Sequence, residues 1–484
     1  MKKKLTGLAV CLLALGIAAA AGKMTEKESK RYHQHMEEPG YIPCKNHGEE
    51  TFCSHLPLIL IDTVGEEIPG APLSDEKDTA FTKTADGSDY LKGFMTVVDN
   101  KTGNNHIGDT PVQKTDISIR IRGNSSRYFD KKSYLVKTVK DDKENDLPLL
   151  GMDSFDEWAL YGPYLDKTLI RNYMWYNIAG EMMEYAPNVR FCEVFLNGNY
   201  QGLYVLTETI SSGDEGRRLG LTKPDEERRE TSYVLRMDRG SSNPVKNIDT
   251  FTRYTLKNLR KLNIEYPGAK YLTEERREYI LQDFSAFEKS LYSFDYDNGP
   301  YAWEKEMDMK SMADFFIFTE FTGNYDAGNF STYLYKDIGG KYKMCVWDCN
   351  SSCDNYIEEA TSFQNFKTQN STWYYMICKD EDFVETVIDR YREFRKGVLN
   401  EQYIDNYIDS VTEWLGPSVE RNYQAWDQAL QDNILLPPSR NVHTYTEAVN
   451  QMKEFCHKRG KWMDEHIEIL KQYCHESKVK KFNH

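Results

Sequence analysis

Residues 189–210, VRFCEVFLNGNYQGLYVLTETI, constrain the fold more than any other stretch. Two β-rich runs flank Asn197-Gly198-Asn199, and Asn-Gly supplies the positive φ angles of a tight type I′ hairpin. A hairpin needs a sheet to belong to, and the segments upstream supply one. ISIRIRG (117–123), SYLVKTV (133–139) and EWALYG (157–162) alternate strictly, the pattern of successive antiparallel strands with one buried face. LPLILIDT (56–63) is a short apolar run bounded by Pro57 and Gly65, the form of a buried strand. Residues 66–93, rich in Asp, Thr, Gly and Ser, read as a long loop or edge excursion. Between strands and hairpin, Leu169, Tyr173, Tyr176 and Ile178 recur at helical spacing behind Thr168, which predicts a helix over 166–184.

The second half is more helical. Periodicity predicts helices over 271–292 and 309–321, and TYLYKD (332–337), Gly339-Gly340 and KYKMCVWD (341–348) make a second hairpin. From about residue 379 onward, Tyr, Ile, Leu and Trp recur at helical spacing, interrupted by Pro437-Pro438. Strands first and helices later, with a hairpin embedded among the helices, is the order of a two-lobed α+β protein. Protein-kinase-like folds share that order, but order alone carries no function.

The N-terminus bears on compartment. Lys2, Lys3 and Lys4 precede an apolar stretch, and Ala19 and Ala21 occupy the −3 and −1 positions of an A-x-A cleavage site, so residues 1–21 read as a secretory signal peptide. The alternative is an uncleaved anchor, the one membrane attachment the sequence offers. Residues 23–50 read as a charged surface segment with little core of its own, in which His33 and His35 are poor candidates for chemistry. The balance of 61 Lys and Arg against 76 Asp and Glu, a net charge of −15, lacks the basic field of a nucleic-acid binder and sets that class aside. In an exported chain the cysteines read first as disulfides, such as Cys44 with Cys53 and Cys456 with Cys474. Cys345, Cys349 and Cys353 match no zinc-finger or ribbon spacing.

Three constellations carry possible chemistry. Arg122-Gly123-Asn124-Ser125-Ser126 lies between two strands and reads either as a plain turn or as a loop turning backbone N–H groups toward a phosphate. Lys131, Lys132 and Lys137 follow, as phosphate partners or as solvated sheet-face lysines. Asn324-Tyr325-Asp326-Ala327-Gly328-Asn329 sits between a helix and the second hairpin, where an Asp and a nearby Asn can orient a hydroxyl and hold a metal. Trp347-Asp348 ends that hairpin, where a carboxylate leading into a loop suits Mg²⁺. The two acids bracketing a hairpin repeat the layout of a kinase's catalytic and metal-binding acids.

RIRGNSSRYFDKKSYLVK (120–137), DKTLIRNYMWYNIA (166–179), FLNGNYQGLYVLTE (195–208), NYDAGNFSTYLY (324–335) and VWD (346–348) closely resemble the spore-coat protein H (CotH) kinase family, in the family's order. The resemblance runs from about residue 56 to 415. It frames the chain as a signal peptide (1–21), an N-terminal extension (22–55), a CotH kinase-like domain (56–415) and a C-terminal helical extension (416–484). It implies an atypical two-lobed protein-kinase-like fold, with a β-rich N-terminal lobe and a helix-rich C-terminal lobe. Implied too is a metal-dependent kinase, using ATP with Mg²⁺ or Mn²⁺ to phosphorylate Ser or Thr of a protein.

Under that resemblance Asp326 is the catalytic acid, Asp348 the metal-binding acid and Asn329 a second metal ligand. The loop Arg122, Gly123, Asn124, Ser125 and Ser126 covers the phosphates, with Lys132 or Lys137 pairing to them and Glu208 bordering the adenine. Arg171 and Asn172 fall in the family's helix motif, with a structural or nucleotide-lobe role. Two departures stand out. Asp326 and Asn329 are closer in sequence than their protein-kinase counterparts, and Asn350 stands where family members often carry a second acid. The acid excess suits basic Ser/Thr-rich coat or surface proteins as substrates, and a secreted, cell-surface or spore-coat location. The competing reading is a family member with weak or lost catalysis, acting as a surface adhesin or polysaccharide-associated binding protein. Its 33 Tyr and 8 Trp would offer sugar-stacking surface if exposed rather than buried in the core.

Overall fold

Alternation in the first half of the chain arises from a barrel. The structure is a computed structural model, and it describes residues 31–44, 52–76, 79–212, 218–225, 227–241, 243–249, 251, 261–324, 326–355, 361–431 and 440–474. The signal-peptide stretch, Tyr325 and Pro437-Pro438 lie outside the described residues. Residues 34–484 form one compact unit.

Its first sheet comprises β1 (Leu58–Asp62), β2 (Leu91–Val98), β3 (Gln113–Arg122), β4 (Ser133–Lys140), β5 (Lys143–Glu144), β6 (Glu157–Tyr161), β7 (Val189–Leu196) and β8 (Asn199–Glu208). The order is β3-β2-β1-β7-β8-β6-β4, and β3 also pairs with β4, so seven strands close on themselves with β5 hanging on β4. Closure satisfies the ladder on both sides of each barrel strand. Only β1 and β7 run parallel within the ring. Because side chains alternate across a strand, Ile117, Ile119 and Ile121, Tyr134 and Val136, Trp158 and Leu160, and Tyr204 and Leu206 fill the interior, and the residues between them point outward. At the β7–β8 turn Asn197 and Gly198 both take positive φ (49° and 78°), as the hairpin demands.

The outward faces of β7 and β8, through Val189, Phe191, Leu203 and Val205, join the main core around α1 (Arg171–Met182). The helix starts later than its periodicity predicts, because Asp166 makes a cap instead. Its carboxylate accepts from the Thr168 N–H (3.1 Å), the Thr168 hydroxyl (2.6 Å) and the Arg171 N–H (2.8 Å). The Arg171 guanidinium closes a fully buried ion pair on it at 2.5 Å. Arg171 also donates to the Ser352 carbonyl (3.0 Å), which ties the helix start to the loop after Asp348.

Part of the expected surface segment is core. Gln34–Glu37 is one helical turn with Gln34 and His35 buried. β1 reaches along β7 only as far as Glu193, and the Gln34 amide continues the ladder, accepting from Phe191 N–H (2.7 Å) and donating to its carbonyl (3.4 Å). The His35 ring packs against Tyr407.

A second antiparallel sheet, order β10-β11-β9-β12-β13, contains β9 (Tyr233–Asp238), β10 (Asn247–Ile248), β11 (Lys261–Tyr266), β12 (Thr332–Lys336) and β13 (Lys343–Cys345). β12 and β13 are the expected second hairpin, with β13 ending before Asp348. Leu235, Met237, Leu262, Ile264 and Leu334 face the main core, and Val234, Tyr333 and Tyr335 face the other way. Helices α2 (Glu274–Leu291), α3 (Met309–Thr322), α4 (Glu381–Arg395), α5 (Glu401–Leu415), α6 (Pro417–Ala425) and α7 (Tyr445–His466) complete the fold. Thr273, Asp308, Asp380, Asn400 and Thr444 cap five of them by accepting a first-turn N–H. Val449, Met452, Phe455 and Met463 of α7 belong to the same core as α3, and Arg459 pairs with Glu320 at 2.7 Å in its interior. The fold is mixed α+β. No helix among the described residues is long and apolar enough to cross a membrane.

The nine described cysteines are thiols. The pairing of Cys456 with Cys474 is not found, because α7 turns Cys456 into the core, where its sulfur lies 3.8 Å from that of Cys353. Cys345 sits in a different core cluster from Cys349 and Cys353, so these three do not gather as metal ligands.

Candidate active-site cleft

A cleft of about 570 Å³ lies against the outside of the barrel. The outward residues of β3, β4 and β6, namely Arg120, Arg122, Ser133, Leu135, Glu157 and Tyr161, line one side. Arg236 and Asp238 of β9 and Tyr333 of β12 line it from the second sheet. Asp326, Phe330 and Ser331, and the stretch holding Trp347, Asp348, Asn350, Ser351 and Asn355, supply the rest.

The loop after β3 is built on a glycine. Gly123 has φ +109°, and a Cβ there would come 1.8 Å from the Ser126 Oγ. That freedom lets the chain turn into the 3₁₀ segment Ser125–Tyr128, and Gly123, Asn124, Ser125 and Ser126 all line the cleft. Arg127 braces the turn, donating to the Gly123 (2.5 Å) and Gly70 (2.8 Å) carbonyls. Burial, with repulsion from Arg120 and Arg122, pushes the Arg127 pKa down to about 10. Three crowded guanidiniums beside an exposed turn suit an anion.

Asp348 takes φ +57°, a conformation costly for a residue with a Cβ and held here by its neighbours. Its N–H donates to the Tyr176 hydroxyl (2.9 Å), and its carbonyl accepts from the Asn324 amide (3.4 Å). Burial raises the Asp348 pKa and the Asp238 carboxylate raises it further, while Arg122 and the Ser331 hydroxyl oppose the shift. Arg122 lies over the Trp347 ring at 5.3 Å. Asp238 is 6% exposed, with its own Arg239 N–H (2.8 Å) and guanidinium (3.6 Å) beside it.

Asp326 lies in the turn that follows α3, which ends at Gly323 in the left-handed region. The Asp326 carbonyl accepts from the N–H of Asn329 (3.0 Å) and of Phe330 (2.8 Å). Gly328, with φ +84°, donates its N–H to the Thr332 hydroxyl (2.7 Å), fixing the turn to β12.

Of the residues singled out in the sequence, Arg122, Gly123, Asn124, Ser125, Ser126, Asp326 and Asp348 come together in this cleft. Six do not line it, among them Arg171, held on Asp166, and Lys131, which is buried and donates to the Leu203 carbonyl (2.7 Å). Asn329 contributes its backbone N–H to the Asp326 turn. Lys132 donates to the Arg127 carbonyl (2.9 Å), a brace for the loop. Lys137 pairs with Glu157 at 3.4 Å, one side chain removed from the cleft. Glu208 is fully buried at the end of β8, accepting from the Asn188 backbone and side-chain amides, both at 2.9 Å. The cations that do line it are Arg120, Arg122, Arg127, Arg236, Arg239 and Lys246.

The donor set also fits a divalent cation. Asp348 and Asp238 bring two carboxylates close enough to disturb one another, and Asn350 adds an amide. Asn172, 4% exposed, lines the same cleft with its Oδ1 buried and without a hydrogen-bond partner among the described residues. Hard oxygen donors around excess negative charge are what Mg²⁺ or Mn²⁺ takes. Asp238 is not among the residues the sequence singles out, whereas Asn172 is, with the structural or nucleotide-lobe role that the family resemblance implies. The clue for Asp238 is VLRMDRG (234–240), where Arg236 and Asp238 fall on one face of an otherwise apolar strand.

The family model of CotH kinase proteins matches residues 119–463. This chain belongs to the CotH kinase family. Membership makes it, at family level, a kinase-type transferase that uses ATP. The CotH match begins within β3 and takes in the cleft, β4 to β8, the second sheet and most of α7; it leaves β1 and β2 outside and extends through helices that the family resemblance in the sequence left outside. No curated protein matches the chain at a significant level.

Proposed function

We propose that this CotH kinase is a secreted, two-lobed protein kinase that phosphorylates Ser or Thr of basic coat or surface proteins. The observation that carries the reading is the convergence of Asp326, Asp348 and the Arg122–Ser126 loop, three distant segments, on one cleft. ATP with Mg²⁺ or Mn²⁺, when bound, would supply the γ-phosphoryl group and the cation that neutralises its charge.

The chain's part is positioning and electrostatics. Asp326, held by its turn, orients the acceptor hydroxyl and takes its proton. Asp348 and Asp238, with the Asn172 and Asn350 amides, would hold the divalent cation. Gly123, Asn124, Ser125 and Ser126 present N–H and hydroxyl donors to phosphate oxygens, and Arg122 and Arg127 supply the charge that Lys132 and Lys137 were expected to bring. Asn350 replaces an acid frequent in the family, and Asp238 answers that loss with a carboxylate from another strand.

Incubating the mature protein with labelled ATP, Mg²⁺ or Mn²⁺ and a basic Ser-rich protein tests this. Transfer in the wild type that disappears in Asp348→Ala supports it. No transfer, together with no ATP-dependent thermal shift, would favour a binding or structural role instead.

A further inference from the structure

Far in sequence from the cleft residues, the N-terminal segment meets the turn between β2 and β3. Ser54 and Asn105 pair there as an isolated bridge, with N–H to carbonyl distances of 3.1 and 2.6 Å. The Asn105 side chain donates to the Leu56 carbonyl (3.0 Å) and accepts from the Asn100 N–H (2.6 Å), so both strips of backbone are fixed. On this frame Cys44, Cys53 and His106 bring two thiols and an imidazole nitrogen within 4.8 Å of one another. No other such group of three occurs among the described residues.

We propose that Cys44, Cys53 and His106 form a zinc site that fastens the N-terminal segment to the barrel. A Cys₂His set with water in the fourth position is an established zinc ligand set, with bonds of about 2.0–2.3 Å that put ligand atoms roughly 3.5–4 Å apart. The sulfurs and the ring need close by about an ångström at most.

Two surroundings distinguish this cluster from a disulfide pair that happens to lie near a histidine. Asp109 Oδ2 sits 3.0 Å from His106 Nδ1 and also accepts the His106 N–H at 2.8 Å, which fixes the ring through its Nδ1 side. A carboxylate on the far nitrogen is the usual outer partner of a metal-bound histidine, and it makes the ring a stronger ligand. The Asn104 amide donates to Cys53 Sγ at 3.0 Å, a contact that favours a thiolate. A disulfide would use neither.

The test is zinc itself. The mature protein, reduced, stripped with chelator and titrated with Zn²⁺, should bind one equivalent tightly, and Co²⁺ in its place should show thiolate-to-metal charge-transfer absorption. Cys53→Ser and, as a second variant that keeps both thiols, His106→Gln should each lose the bound equivalent. Asp109→Asn should weaken it about 10–100-fold, and Asp348→Asn should leave it unchanged. A Cys44–Cys53 linked peptide in the protein as secreted would overturn the proposal. So would a wild type that binds no zinc, or binds it no better than the His106→Gln variant.

Discussion

At the scale of the residue, the proposed chemistry turns on Asp348 and Asp238. Two carboxylates in one cleft repel, and burial raises the Asp348 pKa on top of that repulsion. A divalent cation relieves both costs. Asp238→Asn should therefore weaken Mg²⁺-dependent nucleotide binding by about tenfold or more, measured by calorimetry, and leave the melting temperature equal or higher. Asp156, near the cleft, offers a cleaner titration. Burial raises its pKa from 3.8 to about 6, against the pull of Lys137. The folded state holds this proton more tightly than the unfolded chain does, so stability falls as pH rises from about 4 to about 6, then levels. Asp156→Asn should remove that slope and gain on the order of 2–3 kcal/mol at pH 7, read from urea melts at several pH values. Asp326 and Asp348 were legible in the sequence because each stands beside a turn at the edge of a recognisable hairpin. Asp238 was not, because the pairing of β9 with β11 and β12 across long insertions decides which way it faces.

Among the elements, the loop after β3 and the start of α1 carry the most specific demands. Gly123→Ala would place a methyl group against Ser126 at a φ that resists any Cβ. Its expected signature is a KM for ATP raised by about tenfold or more, with little loss in thermal stability, since the turn is exposed. Asp166→Ala leaves Arg171 buried without its carboxylate and uncaps the helix, and should cost about 3–5 kcal/mol in denaturant unfolding. Strands β3, β4 and β6 could be read from alternation along each run, and β7 and β8, buried on both faces, from the β-rich runs that flank Asn197-Gly198. The barrel could not, because closure depends on β2 and on the parallel pairing of β1 with β7, contacts between residues far apart that no local period encodes. The helix over 166–184 was placed correctly and started too early. Asp166 and Thr168 satisfy the first N–H groups from outside the helix, and sequence periodicity does not tell a cap from a first turn.

At the scale of the whole molecule, a chain of net charge −15 holds a cleft lined by five arginines and Lys246. Under the proposed function, such a balance would steer basic protein substrates to the surface while the cleft's cations serve phosphate. Phosphorylation of a basic peptide should fall steeply as ionic strength rises from about 0.05 to 0.5 M, as the screening length shrinks below roughly 5 Å, whereas a neutral peptide should be little affected. The mixed α+β class was legible at this scale from element order, and the family from five sequence segments in the family's order, because neither needs knowledge of any contact. The convergence of Asp326, Asp348 and the Gly123 turn is the central claim, and phosphoryl transfer tests it most directly. With labelled ATP, Mn²⁺ or Mg²⁺ and a basic Ser-rich protein, the wild type should transfer phosphate to Ser or Thr, while folded Asp326→Asn and Asp348→Asn should each lose at least about 10²-fold in rate. Equal transfer by wild type and both variants, or none by any of the three, would contradict it.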